Sequence, residues 1–292
     1  MSIRLLGTQD TRRLEEYLAP YKSECMFICS NLKASGIDYK DEAFYGEYWG
    51  YFNVSLEKLE GVIVHYWNCN VMMHARDNTI LEELVSHFRN NAKRPIAGIL
   101  GANTQAEYVI ENLGLSHADY NLNSCEKLYE INLESFKERE ILDHFKIVQA
   151  QEVPLDLLIQ WMQDYEVEAL GTPQDSELLK RATIKAERLR ARDCWVFLEN
   201  QIPVSLSAFN AKLDDIVQVG PVWTPPEHRN KGFARSVLAY TLTQEKRKGT
   251  KKAILFTDNP AAIKAYLSIG FKNIGNYRLA LLKKQVDLRE LK

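Results

Sequence analysis

The sequence predicts an α/β (α+β) chain built from two copies of one unit, on three observations. At 292 residues the chain exceeds the size at which a single hydrophobic core stops growing. Segments of period 2 and period 3.6 alternate along it, so strands and helices are mixed. Finally, AGILGANTQAEYVIENLGL (Ala97 to Leu115) lies ungapped over AILFTDNPAAIKAYLSIGF (Ala253 to Phe271) at a constant offset of 156. The overlay sets Asn103 on Asn259, Ala106 on Ala262 and Gly114 on Gly270, which reads as a duplication. The boundary between copies is expected near 140 to 146, giving halves of residues 1–142 and 143–292.

In the first half a strand is expected at Ile3 to Leu6, then a helix capped by Asp10 or Thr11 that opens a long amphipathic stretch. Strands at Tyr48 to Val54 and Gly61 to Met73 precede a helix at Thr79 to Arg89, a strand at Ile96 to Leu100 and a helix at Thr104 to Asn112. Residues 116–145 should hold one strand. The second half opens with a strand at Lys146 to Gln149. Pro154 then starts a helix carrying Leu155, Leu158, Ile159 and Met162 on one stripe. A second helix covers Ser176 to Arg190, and strands follow at Cys194 to Leu198, Val204 to Asn210 and Ile216 to Trp223. A helix from Gly232 to Lys248 stops at Gly249, a strand takes Ala253 to Phe256, a helix runs from Pro260 to Ser268 with Gly270 as its end, and a strand pair fills Lys272 to Leu282.

Composition excludes several classes. With 46% hydrophobic and 26% charged residues the chain reads as globular. Its 37 basic and 39 acidic side chains leave a net charge of −2, so no overall field draws nucleic acid or a membrane surface. Five cysteines, odd in number and without a CxxC pair, are expected to be reduced thiols. The histidines at 65, 74, 87, 117, 144 and 228 lack metal-ligand spacing, so no metal is expected. Without a signal-peptide core or a membrane-length apolar run, a cytoplasmic location is expected.

The stretch IVQVGPVWTPPEHRNKGFARSVL, residues 216–238, carries the chemistry. It is a strand, a loop and a helix start. Backbone N–H groups converging at a helix N-terminus suit a diphosphate, because they lack intrahelical partners and the macrodipole favours anions. Gly232 lets the backbone approach closely, and Lys231 and Arg235 add positive charge.

Arg229, Gly232 and Ala234 resemble the Arg/Gln-x-x-Gly-x-Gly/Ala signature of the GNAT superfamily of acyl-CoA-dependent N-acyltransferases. A second block, Asn259-Pro260-Ala261-Ala262 with Tyr266 and Gly270-Phe271, stands downstream at the family's order and spacing. The wording VWTPPEHRNKGFA looks most like the glycine N-acyltransferase-like branch. The resemblance implies tandem GNAT-like domains, each a mixed, mostly antiparallel sheet flanked by helices. It implies transfer of an acetyl group from acetyl-CoA to an amine by direct attack, with a longer-chain acyl-CoA or a non-catalytic acyl-CoA-binding module as the alternatives.

By the same resemblance, backbone groups near Val222, Trp223 and Thr224 would hold the pantetheine arm and thioester. Arg229, Asn230, Lys231, Gly232, Phe233, Ala234 and Arg235 would cradle the diphosphate, Asn259 would bond the pantetheine, and Ala262 would leave room for it. Tyr266 would act as general acid: a phenol of pKa about 10 can protonate a leaving thiolate of pKa about 8.5. On the acceptor side, Glu166 or Glu168 would bind or deprotonate the amine, while Gln218 stands where some relatives carry a glutamate base. The cations Lys246, Arg247, Lys248, Lys251 and Lys252 read as a solvated helix end.

Carried back by the offset, Gly232, Ala234 and Tyr266 fall on Arg76, Asn78 and Ile110. The first half is therefore expected to be a degenerate GNAT-like domain that binds no coenzyme.

Overall fold

The computed structural model describes residues 2–53, 58–138 and 145–291. The elements, in chain order, are β1 (Ser2–Leu5), α1 (Thr11–Leu18), α2 (Met26–Ser35), β2 (Gly46–Asn53), β3 (Lys58–Tyr66), β4 (Asn70–Ala75), α3 (Asn78–Asn91), β5 (Ile96–Ala102), α4 (Asn103–Asn112), β6 (Tyr120–Asn132), β7 (Phe145–Gln149), α5 (Leu155–Leu170), α6 (Leu178–Arg190), β8 (Trp195–Glu199), β9 (Ile202–Lys212), β10 (Ile216–Trp223), α7 (Phe233–Arg247), β11 (Lys252–Thr257), α8 (Pro260–Ile269) and β12 (Lys272–Val286). The order strand, two helices, three strands, helix, strand, helix, strand occurs twice.

The chain divides into two compact units, Met1–Lys127 with Gly275–Lys292, and Leu128–Ile274. The predicted boundary between residues 142 and 143 lies outside the described residues, as does Val54 at the end of one predicted strand. In the first unit the strands neighbour one another in the order β1-β2-β3-β4-β5-β12, with β12 from Gly275 onward, and in the second in the order β7-β8-β9-β10-β11-β6, with β6 from Leu128 onward. β4 pairs in parallel with β5 in the first unit, and β10 with β11 in the second.

The first unit packs Leu84 and Phe88 of α3, Val109 of α4 and Leu113 at its C-cap against Ile63, Ile99 and Ala280 of its sheet, all fully buried. In the second unit, Leu238 and Leu242 of α7 and Tyr266 and Ile269 of α8 cover Val217, Val219 and Leu255. On the opposite face Leu158, Trp161 and Met162 of α5 and Ala182 and Ala186 of α6 pack on Val196, Leu206 and Trp223. Each large apolar side chain withdrawn from water contributes about 1.5–3 kcal/mol, so these faces set which way each helix turns.

Two expected elements come out differently. The single strand read over Gly61 to Met73 is two, because the chain turns at Cys69, whose φ is +62°; the Cys69 N–H donates to the Tyr66 carbonyl at 2.9 Å. The strand pair read over Lys272 to Leu282 is one continuous strand, with Gly275 extended inside it. Asp10, an expected helix cap, does cap α1 in position but makes no side-chain cap bond. Its carboxylate instead accepts from both terminal nitrogens of Arg4 at 2.6 and 2.7 Å and from the Gly7 N–H at 3.1 Å, which holds its pKa below the usual carboxylate value.

Candidate active site

The site in the second unit begins where β10 leaves β11. The two strands pair in parallel only at Ile216↔Lys252, Val217↔Ala253 and Gln218↔Ile254. On its other edge β10 stays paired to β9 as far as Trp223↔Leu206, through register shifts between Gln218 and Val222. The peptide groups of residues 219–223 thus face a wedge on the β11 side, and Val222, Trp223 and Thr224 lie at its mouth. Gln218, buried at the point of divergence, donates its Nε2 to the Val219 carbonyl at 2.8 Å, and its Oε1 has no hydrogen-bond partner among the described residues.

Beyond Thr224 the backbone enters α7 through two left-handed residues, Asn230 at φ +63° and Gly232 at φ +83°. Gly232 is the helix N-cap and supplies no side-chain cap, so helix geometry leaves the N–H groups of Phe233, Ala234 and Arg235 without intrahelical acceptors. A Cβ built on Gly232 would meet nothing nearer than the Arg235 guanidinium at 3.7 Å, so the space above the turn is open. Phe233 anchors the turn: it is 4% exposed and its ring lies 5.5 Å from Phe197 and 6.1 Å from Phe145. Among the described residues, neither Lys231 nor Arg235 has an ion-pair partner, and both are exposed.

Arg229 behaves differently. Its Nε donates to the Thr224 carbonyl at 2.9 Å and its Nη2 to Glu168 at 2.8 Å, while its guanidinium lies 5.1 Å from the Trp223 ring centroid. Glu166, buried near the end of α5, accepts from Thr172 at 3.0 Å and from the Lys185 ammonium of α6 at 2.8 Å. The cations at the far end of α7 also have partners: Lys246 bonds the Phe136 carbonyl, Arg247 pairs with Glu138, and Lys248 with Asp193 and Glu245.

The second block is set by local rules. Asn259 caps α8, its Oδ1 accepting from the N–H groups of Ala261 at 2.9 Å and Ala262 at 3.3 Å, and Pro260 takes the first helical position. Gly270, at φ +115°, closes the helix: its N–H reaches the Leu267 carbonyl at 3.1 Å, and the Phe271 N–H reaches the Tyr266 carbonyl at 3.2 Å. The accompanying apolar contact puts the rings of Tyr266 and Phe271 6.0 Å apart. The helix end therefore fixes the orientation of Tyr266, which is 8% exposed. Ala262 is half-buried beside it. Among the described residues no cluster of potential ligands could hold a metal, and no helix is long and apolar enough to cross a membrane.

The first unit has the same wedge with different contents. β4 pairs with β5 only from Asn70↔Gly98 to Met72↔Leu100. Past that point the Gln105 carboxamide bonds both faces of one peptide position: its Oε1 accepts from the Ala75 N–H at 2.8 Å and its Nε2 donates to the Ala75 carbonyl at 3.0 Å. α3 is closed by Asp77, whose Oδ1 accepts from the Ile80 N–H at 3.0 Å, a bond that lowers the carboxyl pKa. Arg76 is paired with Glu60 and Asp77. Gln105 was not singled out from the sequence, since the offset aligns it with an unremarkable alanine, Ala261.

Residues 155–271 match the family model described as "Acetyltransferase (GNAT) family". Among solved structures the chain is similar to a Drosophila protein (10% identity, 96% of this chain and 98% of that one, TM-score 0.68). It is also similar to a tandem GNAT protein from the clavulanic acid biosynthesis pathway (11%, 96% and 97%, TM-score 0.59). A third similar structure is a GCN5-related N-acetyltransferase from Sphaerobacter thermophilus (13%, 97% and 95%, TM-score 0.58). At these identities the likeness is one of fold, and the fold is a tandem GNAT-like α/β architecture. No curated protein matches the sequence. Residues 155–271 are a GNAT acetyltransferase family domain, and the chain is an acyltransferase; the family of that domain draws its acyl group from acyl-CoA.

Proposed function

We propose that the second unit transfers the acetyl group of acetyl-CoA to an amine by direct attack. The observation that carries this reading is the open, uncapped start of α7 at Gly232 next to the wedge between β10 and β11. In it the diphosphate accepts from the N–H groups of Phe233 to Arg235, with Lys231 and Arg235 balancing its charge. The pantetheine enters the wedge and bonds the backbone of Val222 to Thr224, as a missing strand would. Asn259, whose Oδ1 is committed to the helix, offers its amide N–H groups to the same arm, and half-buried Ala262 leaves room for it.

The uncharged amine nitrogen attacks the thioester carbonyl carbon, the C–S bond breaks and the thiolate takes its proton from Tyr266, while the N–H proton that the new amide nitrogen sheds passes through solvent and restores the phenol. Glu166 holds α5 to α6 and Glu168 holds Arg229, so the amine loses its proton to solvent. The amine must reach the site uncharged.

The first unit, on this reading, binds no coenzyme, because Gln105 already bonds the peptide position that a pantetheine amide would use and Asp77 already caps the helix.

The test is calorimetric titration of the full chain with CoA, alongside a thiol-release assay over an amine panel and a series of acyl chain lengths. Wild type is expected to bind one equivalent of CoA and to turn over acetyl-CoA fastest. Gly232→Glu, with its fold verified by melting, is expected to lose binding. Full binding by that variant would remove the turn from the reading. Faster turnover of a longer acyl-CoA would replace acetyl by the longer chain.

A further inference from the structure

We infer that Arg229 is a positioning residue: it clamps the end of β10 to α5, and its guanidinium does not bind the diphosphate. The inference rests on the coenzyme reading above and departs from the role that the sequence motif suggests for this arginine. Three contacts carry it. Nε is committed to the Thr224 carbonyl at 2.9 Å, Nη2 to Glu168 on α5 at 2.8 Å, and the guanidinium carbon lies 5.1 Å from the Trp223 ring centroid.

What the arginine holds is the segment that would carry the thioester. Trp223 is 4% exposed and meets the ring of Tyr165 on α5 edge-on at 6.3 Å. Its carbonyl accepts from the Ser205 hydroxyl at 3.0 Å, and that hydroxyl lies 2.8 Å from the Thr224 hydroxyl. β10 leaves β11 after Gln218, so from Val219 onward no strand among the described residues keeps its β11 side in place. Arg229 ties this free end to the helix on the opposite face. The cations that remain for a diphosphate are Lys231 and Arg235, which have no ion-pair partner among the described residues. Glu168 is then the anchor of the clamp, with its carboxylate directed to Arg229.

The ion pair joins two partly exposed groups, with 37% and 48% of their side-chain surface accessible, so it adds little to stability. Its effect belongs in the rate, where a small misplacement of the reacting carbonyl is costly. Arg229→Ala is expected to melt near wild type, to lower kcat by about 10- to 100-fold, and to change the Kd of CoA by less than about three-fold. The preference for CoA over phosphopantetheine, which lacks the diphosphate, should be unchanged. Arg229→Lys should not restore kcat, because an ammonium at the end of a flexible stem cannot reproduce the fixed fork that makes both bonds beside the Trp223 ring. Glu168→Ala should be non-additive with Arg229→Ala.

A tenfold weaker Kd for Arg229→Ala with loss of the preference over phosphopantetheine would overturn the inference and make Arg229 a diphosphate ligand. An unchanged kcat would overturn it as well. If Glu168→Gln abolishes turnover together with the alkaline rise of the rate, Glu168 is the base and the clamp is rejected. Failure of the underlying reading has a separate signature: wild type binding no CoA, or Gly232→Glu binding it as wild type does. The clamp falls with it in that case.

Discussion

The starts of α3 and α7 are the same structural position in the two units, and they are finished in opposite ways. At α3, Asp77 brings a carboxylate to the helix N-terminus and accepts from the Ile80 N–H. At α7, Gly232 brings no side chain and a left-handed turn. The neighbouring wedges differ in the same sense: Gln105 bonds both the N–H and the carbonyl of Ala75, whereas its aligned position in the second unit is Ala261, whose side chain can make no hydrogen bond. The lesson is physical. A helix start and a diverging strand pair expose backbone groups that need partners, and a chain either supplies those partners itself or leaves them to a ligand.

The largest effect that would break the comparison belongs to Gly232→Glu. A carboxylate placed on α7, as Asp77 is on α3, should weaken CoA binding by at least about two orders of magnitude, measured by calorimetry. Changing Asp77 to Ala should leave CoA binding unaltered and lower stability by about 1 kcal/mol. Next comes the phenol. Tyr266→Phe should reduce kcat by about 10²- to 10⁴-fold with the Kd of CoA unchanged; equal turnover would remove Tyr266 from the chemistry.

The units should also differ in acid. His65 and His74 of the first unit are buried, and burial lowers both pKa values to about 4. Each is neutral when folded, so its stabilising share is fully present above the unfolded pKa of about 6.5 and is lost as pH falls toward 4. Melting followed from pH 7 to pH 4 should lose up to about 3 kcal/mol per histidine, and His74→Gln should flatten that slope. Of the second unit's described residues, the one histidine, His228, is half-buried, so tryptophans of that unit should report a later transition. Simultaneous loss of both units would contradict this ordering.

A smaller effect than the loss of coenzyme binding or of the phenol sharpens the wedge comparison. Gln105→Ala should cost about 1–3 kcal/mol, the penalty for leaving a buried N–H and carbonyl of Ala75 without partners, and should not alter turnover. Turnover itself should rise about tenfold per pH unit below the pKa of the acceptor amine, about 8 for an α-amino group and about 10.4 for a lysine-like one.

Much of this was legible in the sequence because it is local. β10 spans the predicted Ile216 to Trp223, and α8 begins at Pro260 and ends before Gly270 as expected, since capping and turn chemistry act over a few residues. The duplication was legible for the same reason: both copies must build a strand, a turn and a helix. Contacts made across long sequence separations were not. Glu168 and Arg229 are 61 positions apart, and Glu166 and Lys185 are 19 apart, so two carboxylates that look available as bases in DYEVEALGTPQD are already engaged. Gln105 could have been noticed as a polar residue set against Ala261, but nothing local says that its amide reaches back 30 residues to Ala75. The assignment of Gly275–Lys292 to the first unit likewise depends on pairing between β12 and β5, which no period reveals.

The most direct test of the account is a crystal structure of the full chain soaked with acetyl-CoA. It should show one coenzyme, with its diphosphate on the N–H groups of Phe233 to Arg235, its pantetheine against Val222 to Thr224, and the Gln105 bonds to Ala75 intact. An empty turn at Gly232, or a coenzyme lying along β4 with Gln105 displaced, would contradict it.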